Sequence, residues 1–249
     1  MPLDRSSRIG LRALVDGRQP GRWAATSARW RVPVVLFAVL LFALGVPADP
    51  PPALRDSGDC GIDKSQPSTV TRGGKEYEAR SFFEPARVSA VGGIDRKDLD
   101  ALAKEVGRLQ GSSCFEVCVR SLVTANGFAQ ACANCDFVFI VAHGSNVAPY
   151  LSIGGDQAAQ LPQWPATVNA GSVWLGACHG HEAAQQLNGA SGTTYRSLPN
   201  AKFDAKGCAL RNDMVRGLTA ELAALKDTAY CKRKKVCVLS GVQEVVAVR

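Results

Sequence analysis

Phe137-Val138-Phe139-Ile140-Val141-Ala142 runs directly into His143-Gly144, and further along Ser172-Val173-Trp174-Leu175-Gly176-Ala177 runs into Cys178-His179-Gly180-His181. Both runs are short, apolar, rich in Val, Ile and aromatic residues, and bounded by glycine. That pattern predicts strands buried on both faces of a parallel sheet. In an open α/β sheet, ligands bind beyond the carboxyl ends of the strands. His143 and Cys178 are both expected at that edge, a base beside a sulfur nucleophile.

Working outward, the chain of 249 residues holds one good-sized domain with extensions. Its net charge of +7 suggests a nucleic-acid partner until its distribution is read. Residues 1–48 carry seven Arg and two Asp, so only +2 remains for the rest of the chain. The basicity belongs to a leader, and nucleic-acid binding is not expected. In that leader an uncharged run, Val32 to Val46, follows Arg31. Fifteen helical residues rise about 22 Å, short of the ~30 Å hydrocarbon core, which fits a signal-peptide core better than a permanent span. Val46-Pro47-Ala48 offers small residues for cleavage before Asp49, and the long basic segment leaves an uncleaved signal anchor as the alternative. Either way the domain is expected outside the cytoplasm, in contact with a membrane only through this segment.

All nine cysteines follow the leader. If Cys178 is spared as a nucleophile, Cys60, Cys114, Cys118, Cys132, Cys135, Cys208, Cys231 and Cys237 remain as candidates for up to four disulfides. Cys114-x3-Cys118 and Cys132-x2-Cys135 sit in a cysteine-rich insert, residues 112–135, read as a hairpin clamped by two disulfides. The same spacing also suits a four-thiolate zinc site.

Residues 49–76 are rich in Pro, Ser and Gly and read as an irregular arm, leaving 77–249 as the folded domain. Ala79–Phe83 and Arg87–Val91 are extended candidates. Asp95 to Leu109 is the clearest helix, with Leu99, Leu102, Val106 and Leu109 on one face and Gly111 to stop it. Pro149–Ile153 reads as a short strand and Asp156–Ala159 as a helical turn. A helix is expected over His181–Leu187, a mobile loop over 190–207, and a helix marked by Leu210, Met214, Leu218, Leu222 and Leu225. Lys235–Leu239 and Val242–Val248 read as two late strands joined at Ser240-Gly241.

A hydrophobic strand ending in His-Gly, a spacer, and a hydrophobic strand ending in Ala-Cys together resemble the caspase-like cysteine peptidases of the caspase, gingipain, legumain and CHAT group. The match covers roughly residues 136–190, on Val138–Gly144 and Val173–Cys178. The resemblance implies a three-layer α/β sandwich, a mainly parallel sheet with helices on both faces. It implies an endopeptidase acting on polypeptides without a cofactor, with His143 as base, Cys178 as nucleophile and Gly144 near the oxyanion. Gly176, Ala177 and His179 would line the cleft.

The chemistry of the residues agrees. A thiol with its ordinary pKa near ~8.5 is mostly protonated at neutral pH and needs an imidazole beside it. The N–H groups of Gly144 and Cys178 are suited to a tetrahedral oxyanion, and the helix after Cys178 turns its N-terminus towards the sulfur. Gly176-Ala177-Cys178-His179-Gly180 also fits a nucleophile elbow of the α/β-hydrolase kind, but that fold requires a histidine well downstream and none follows His181. Papain-like order fails for the same reason. The further alternatives are zinc on His143, Cys178 and His179 or His181, and a caspase-like module that binds a partner at the cell surface without catalysis. His181 and Glu182 are expected to cap the helix or face solvent. Asp156, Asp204 and Asp213 are candidates for selecting a basic residue at the cleavage site.

Overall fold

The chain divides into Met1–Val46 and Pro47–Arg249. The computed structural model describes residues 54–63, 68–84, 94–144, 150–152, 159–160, 169–188, 192–198 and 208–248, and the leader lies outside them. No helix among the described residues is long and apolar enough to cross a membrane.

Strands β1 (Thr69–Arg72) and β2 (Lys75–Ser81) form a hairpin, followed by helix α1 (Arg96–Gln110), strand β3 (Phe115–Val123) and helix α2 (Ala125–Asn134). Then come β4 (Phe137–Val141), β5 (His143–Gly144), β6 (Tyr150–Ser152), β7 (Ala159–Gln160) and β8 (Ser172–Gly176). Helix α3 (Gly180–Asn188), strand β9 (Thr194–Ser197), helix α4 (Cys208–Ala224) and the long β10 (Lys234–Ala247) complete the fold.

The main sheet has seven strands. β3 and β4 flank the first half of β10 in parallel, β4 pairs parallel with β8, and β8 with β9. The second half of β10 pairs antiparallel with β2, which pairs antiparallel with β1. The sheet is therefore mixed, correcting the expected mainly parallel one. The physical reason lies in β10: it continues past the parallel region and offers its free length to the hairpin. Ser240-Gly241, expected as a turn between two strands, lies inside this one strand. Both residues are small because the chain is crowded there: the Ser240 hydroxyl accepts from Ser81 Oγ and Phe82 N, each at 2.7 Å.

Side-chain alternation builds a core on each face. Phe139, Val141, Trp174, Val236 and Val238 face α1 and α4, meeting Leu102, Val106, Val215 and Leu218. Val138, Ile140, Val173, Leu175 and Leu239 face α2 and α3, meeting Phe128, Ala131, Ala184 and Leu187. These are the three layers expected, with period-2 strands buried between period-3.6 helices. Arg108 ties α1 to the far end of α4 by donating to the carbonyls of Leu222 and Leu225 at 2.8 and 3.1 Å. Thr124 caps α2 by accepting from the Gly127 N–H.

Residues 112–135 are not a clamped hairpin. They supply β3, paired to β10 within the sheet, and α2. Their cysteines bond outwards: Cys60 to Cys118, Cys114 to Cys231 and Cys135 to Cys237. Cys132 and Cys178 are free thiols, and the side chain of Cys208 lies outside the described residues. The arm is only partly irregular, since Thr69–Arg72 is an edge strand, and β9 adds a parallel edge strand within the expected loop over 190–207. The candidate strand Arg87–Val91 and most of the candidate turn at Asp156–Ala159 lie outside the described residues.

Phe139 is 1% exposed at the centre of the face covered by α1 and α4. Phe139→Ala is expected to destabilise the domain by about 3–5 kcal/mol in urea unfolding. A loss below ~1 kcal/mol would mean that this core is not closed.

Candidate active site

β4 and β8 pair in parallel with Val141 opposite Gly176. His143 follows Val141 by two residues and Cys178 follows Gly176 by two, so the register carries both to the same place beyond the sheet. The Ala142 N–H still donates to the Gly176 carbonyl at 3.0 Å, keeping the two chains together one residue short of the pair. Both side chains are half-buried.

At this point the backbones nearly touch. A Cβ added to Gly144 would stand 1.7 Å from the Cys178 carbonyl oxygen and 2.5 Å from its Cα. No side chain fits there, which is why glycine follows His143. The close approach brings the Gly144 N–H, like the N–H of Cys178 itself, near enough to the sulfur to favour its ionised form. Two backbone donors thus stand where they can meet negative charge on the sulfur. Directly after Cys178, His179 adopts φ 53°, the left-handed region disfavoured for a residue with a Cβ. That turn swings the chain from β8 into α3, whose first residue is Gly180.

Burial governs the electrostatics. The His143 imidazole is pulled from 6.5 down to about 4, first because burial disfavours its charged form and then because Arg72 and Arg211 add positive charge nearby. The Cys178 thiol is pushed up by burial, opposed in part by the two backbone donors and by Arg211 near the start of α4. The pair therefore rests at neutral pH as imidazole and thiol, without a preformed ion pair.

No carboxylate orients the imidazole among the described residues. Its neighbour is Phe82, whose ring meets it edge to face at a centroid distance of 5.1 Å and an angle of 70°. Phe82 is 1% exposed, and its N–H is held by the buried Ser240 hydroxyl. Phe82, Ser240 and Arg211 were not identified in the sequence. Phe82 sat unmarked in an extended candidate, and Arg211 lies between the apolar positions Leu210 and Met214 of its helix.

Among the other expected residues, Gly176 and Ala177 border the pair on β8 and its extension. His181 pairs with Gln185 one turn along its own helix at 3.0 Å, and Glu182 is exposed. Asp213 is exposed and pairs with Arg216 at 3.0 Å, while Asp156 and Asp204 lie outside the described residues. His143, Cys178 and the neighbouring histidines do not form a metal-ligand group. Among the described residues that arrangement occurs at Cys60, Cys118 and Cys237. Comparison with known protein families, with curated proteins and with solved structures finds no match to this chain.

The depressed imidazole pKa has a direct consequence for stability. Below pH 6.5 the unfolded chain takes up a proton at residue 143 that the folded chain refuses until about pH 4. Stability drains across that window as the pH falls, then levels off. His143→Gln is expected to flatten this part of the unfolding free energy measured against pH. An unchanged slope would mean that the imidazole is not buried in its neutral form.

Proposed function

We propose that the chain is an exported cysteine endopeptidase in which Cys178 attacks a peptide carbonyl and His143 moves the proton. The observation that carries this reading is a free, half-buried Cys178 thiol, with the N–H groups of Gly144 and Cys178 favouring its ionised form, at the end of the strand next to the one that leads to a neutral His143 imidazole. The resemblance to caspase-like peptidases supports it through the same residues. The three disulfides favour an oxidising compartment, in keeping with the signal-like leader.

In the proposed reaction His143 takes the thiol proton as Cys178 Sγ bonds to the carbonyl carbon. The resulting oxyanion accepts from the Gly144 and Cys178 N–H groups. Collapse breaks the C–N bond, and the imidazolium protonates the departing amine. Water, deprotonated by His143, then hydrolyses the thioester and restores the thiol. Because the resting pair is neutral, the proton transfer belongs to the attack itself. Phe82 holds the imidazole edge, a positioning role that a carboxylate fills in other dyads.

The reading is tested by incubating the purified chain with a peptide library and mapping the new termini by mass spectrometry. Cleavage at defined residues is expected, lost in Cys178→Ser and reduced about 100- to 10,000-fold in His143→Ala. The acid limb of kcat/KM is expected near pH 4, where the imidazole protonates. Cleavage that survives Cys178→Ser overturns the assignment, as does the absence of any cleavage, which would favour a caspase-like binding module.

A further inference from the structure

Cys178 leaves β8 on a turn that both neighbouring strands of the sheet, β4 and β9, help to hold. From the β4 side, Gly144 presses against the Cys178 backbone. The Gly180 N–H donates to the Ala177 carbonyl at 3.1 Å, so Cys178 and His179 occupy the centre of a four-residue turn. His179 takes its positive φ at the second central position. A residue with a Cβ persists in that conformation only where its surroundings over-determine it. From the β9 side, the residue that meets the turn is Ser197, the last of its strand.

Leu175 and Ser197 form the last row paired between β8 and β9. The Ser197 hydroxyl donates to the Leu175 carbonyl at 2.5 Å. Gly180, the first residue of α3, lies directly against this bond: a Cβ there would stand 2.6 Å from Ser197 Oγ and 2.8 Å from the Leu175 oxygen. One hydroxyl thus bonds to the chain three residues before Cys178 and supports it two residues after. Ser197 is itself on a fixed strand. Tyr195 is 3% exposed, and its N–H donates to the Asn188 side chain at 2.6 Å while its carbonyl accepts from the same amide at 2.8 Å. Arg196 pairs with Glu221 of α4 at 2.8 Å. Both ends of α3 therefore rest on β9, Gly180 on Ser197 and Asn188 on Tyr195.

We propose that Ser197 is a positioning residue for Cys178, its hydroxyl fixing the turn that keeps the sulfur near the Gly144 N–H. The proposal rests on the reading of Cys178 as the nucleophile and names what holds it in place. Without the hydroxyl, the Leu175 carbonyl loses a donor and Gly180 loses the atom it is packed against. His179 is then free to relax towards negative φ, and Cys178, which adjoins it, draws away from Gly144. The thiol thereby loses a neighbour that favours its ionised form. A displacement of about 1 Å at a reacting atom costs on the order of 100-fold in rate. Because the displaced atom is the sulfur, the loss falls on kcat and leaves KM nearly unchanged.

The test compares Ser197→Thr, Ser197→Val and Ser197→Ala in the full chain, each checked for a folded circular dichroism spectrum. Threonine and valine have nearly the same shape, and only threonine keeps the hydroxyl. Iodoacetamide labelling of Cys178 is followed against pH, and cleavage of a peptide that the wild-type chain cuts gives kcat and KM. Ser197→Thr is expected to label and cleave as the wild type does. Ser197→Val and Ser197→Ala are expected to label with a profile displaced to higher pH, and to lose about 10- to 100-fold in kcat with KM little changed. If Ser197→Val does not fold, Ser197→Ala carries the comparison, since it removes the hydroxyl and adds nothing. The labelling profile decides the proposal even if the chain cleaves no peptide, so its failure and that of the peptidase reading are told apart. A wild-type profile in Ser197→Ala overturns it, as does a profile in Ser197→Thr displaced as far as in Ser197→Val.

Discussion

The parallel register of β4 and β8 is the constraint on which the site depends. Val141 lies opposite Gly176, and two residues further on His143 and Cys178 inherit that alignment. A slip of one residue would send the two side chains to opposite faces of the sheet. The cores prevent it. Val138 and Ile140 must meet the α2 and α3 face while Phe139 and Val141 meet α1 and α4, and Val173, Trp174 and Leu175 impose the same alternation next door. Trp174 is 1% exposed, so a shifted register would have to bring the largest buried side chain into the wrong core. Packing energy distributed over two hydrophobic layers is thereby converted into the placement of these two side chains.

Burial that fixes the geometry also sets the protonation states. The pocket that holds His143 against Phe82 disfavours imidazolium, and Arg72 and Arg211 add to the effect. The same burial raises the Cys178 thiol, while the donors from Gly144 and Cys178 and the charge of Arg211 offset part of that rise. The result is an imidazole that stays unprotonated and a thiol that stays protonated through the neutral range. In the proposed reaction, negative charge on sulfur or oxyanion would meet the nearby N–H groups of Gly144 and Cys178.

Legibility in the sequence followed the strength of the periodic signal. β4, β8, α1, α3 and α4 were readable because each is a clean apolar run or a helical stripe. β3 was not, because Phe115-Glu116-Val117-Cys118-Val119-Arg120 mixes its buried positions with a cysteine and an arginine, and the four nearby cysteines drew the reading towards a local clamp. Their true partners, Cys60, Cys231 and Cys237, are set by tertiary contact that no spacing encodes. Ser240-Gly241 imitates a turn because small residues serve both turns and tight packing, and here Gly241 lies against Ala142. The antiparallel hairpin on β10 was hidden with it, and so was the mixed character of the sheet. At the site, His143, Gly144 and Cys178 were legible as strand-end residues. Phe82 and Ser240 were not, since their role exists only once β2 and β10 lie side by side.

The most direct test of the account is the reactivity of Cys178 in the non-reduced protein. Iodoacetamide labelling at neutral pH and at pH 5, mapped by mass spectrometry, should modify Cys178 ahead of every other cysteine. Labelling at neutral pH should slow in His143→Ala, because the imidazole assists loss of the thiol proton. A Cys178 found in a disulfide, or one that labels equally fast without His143, would contradict the dyad.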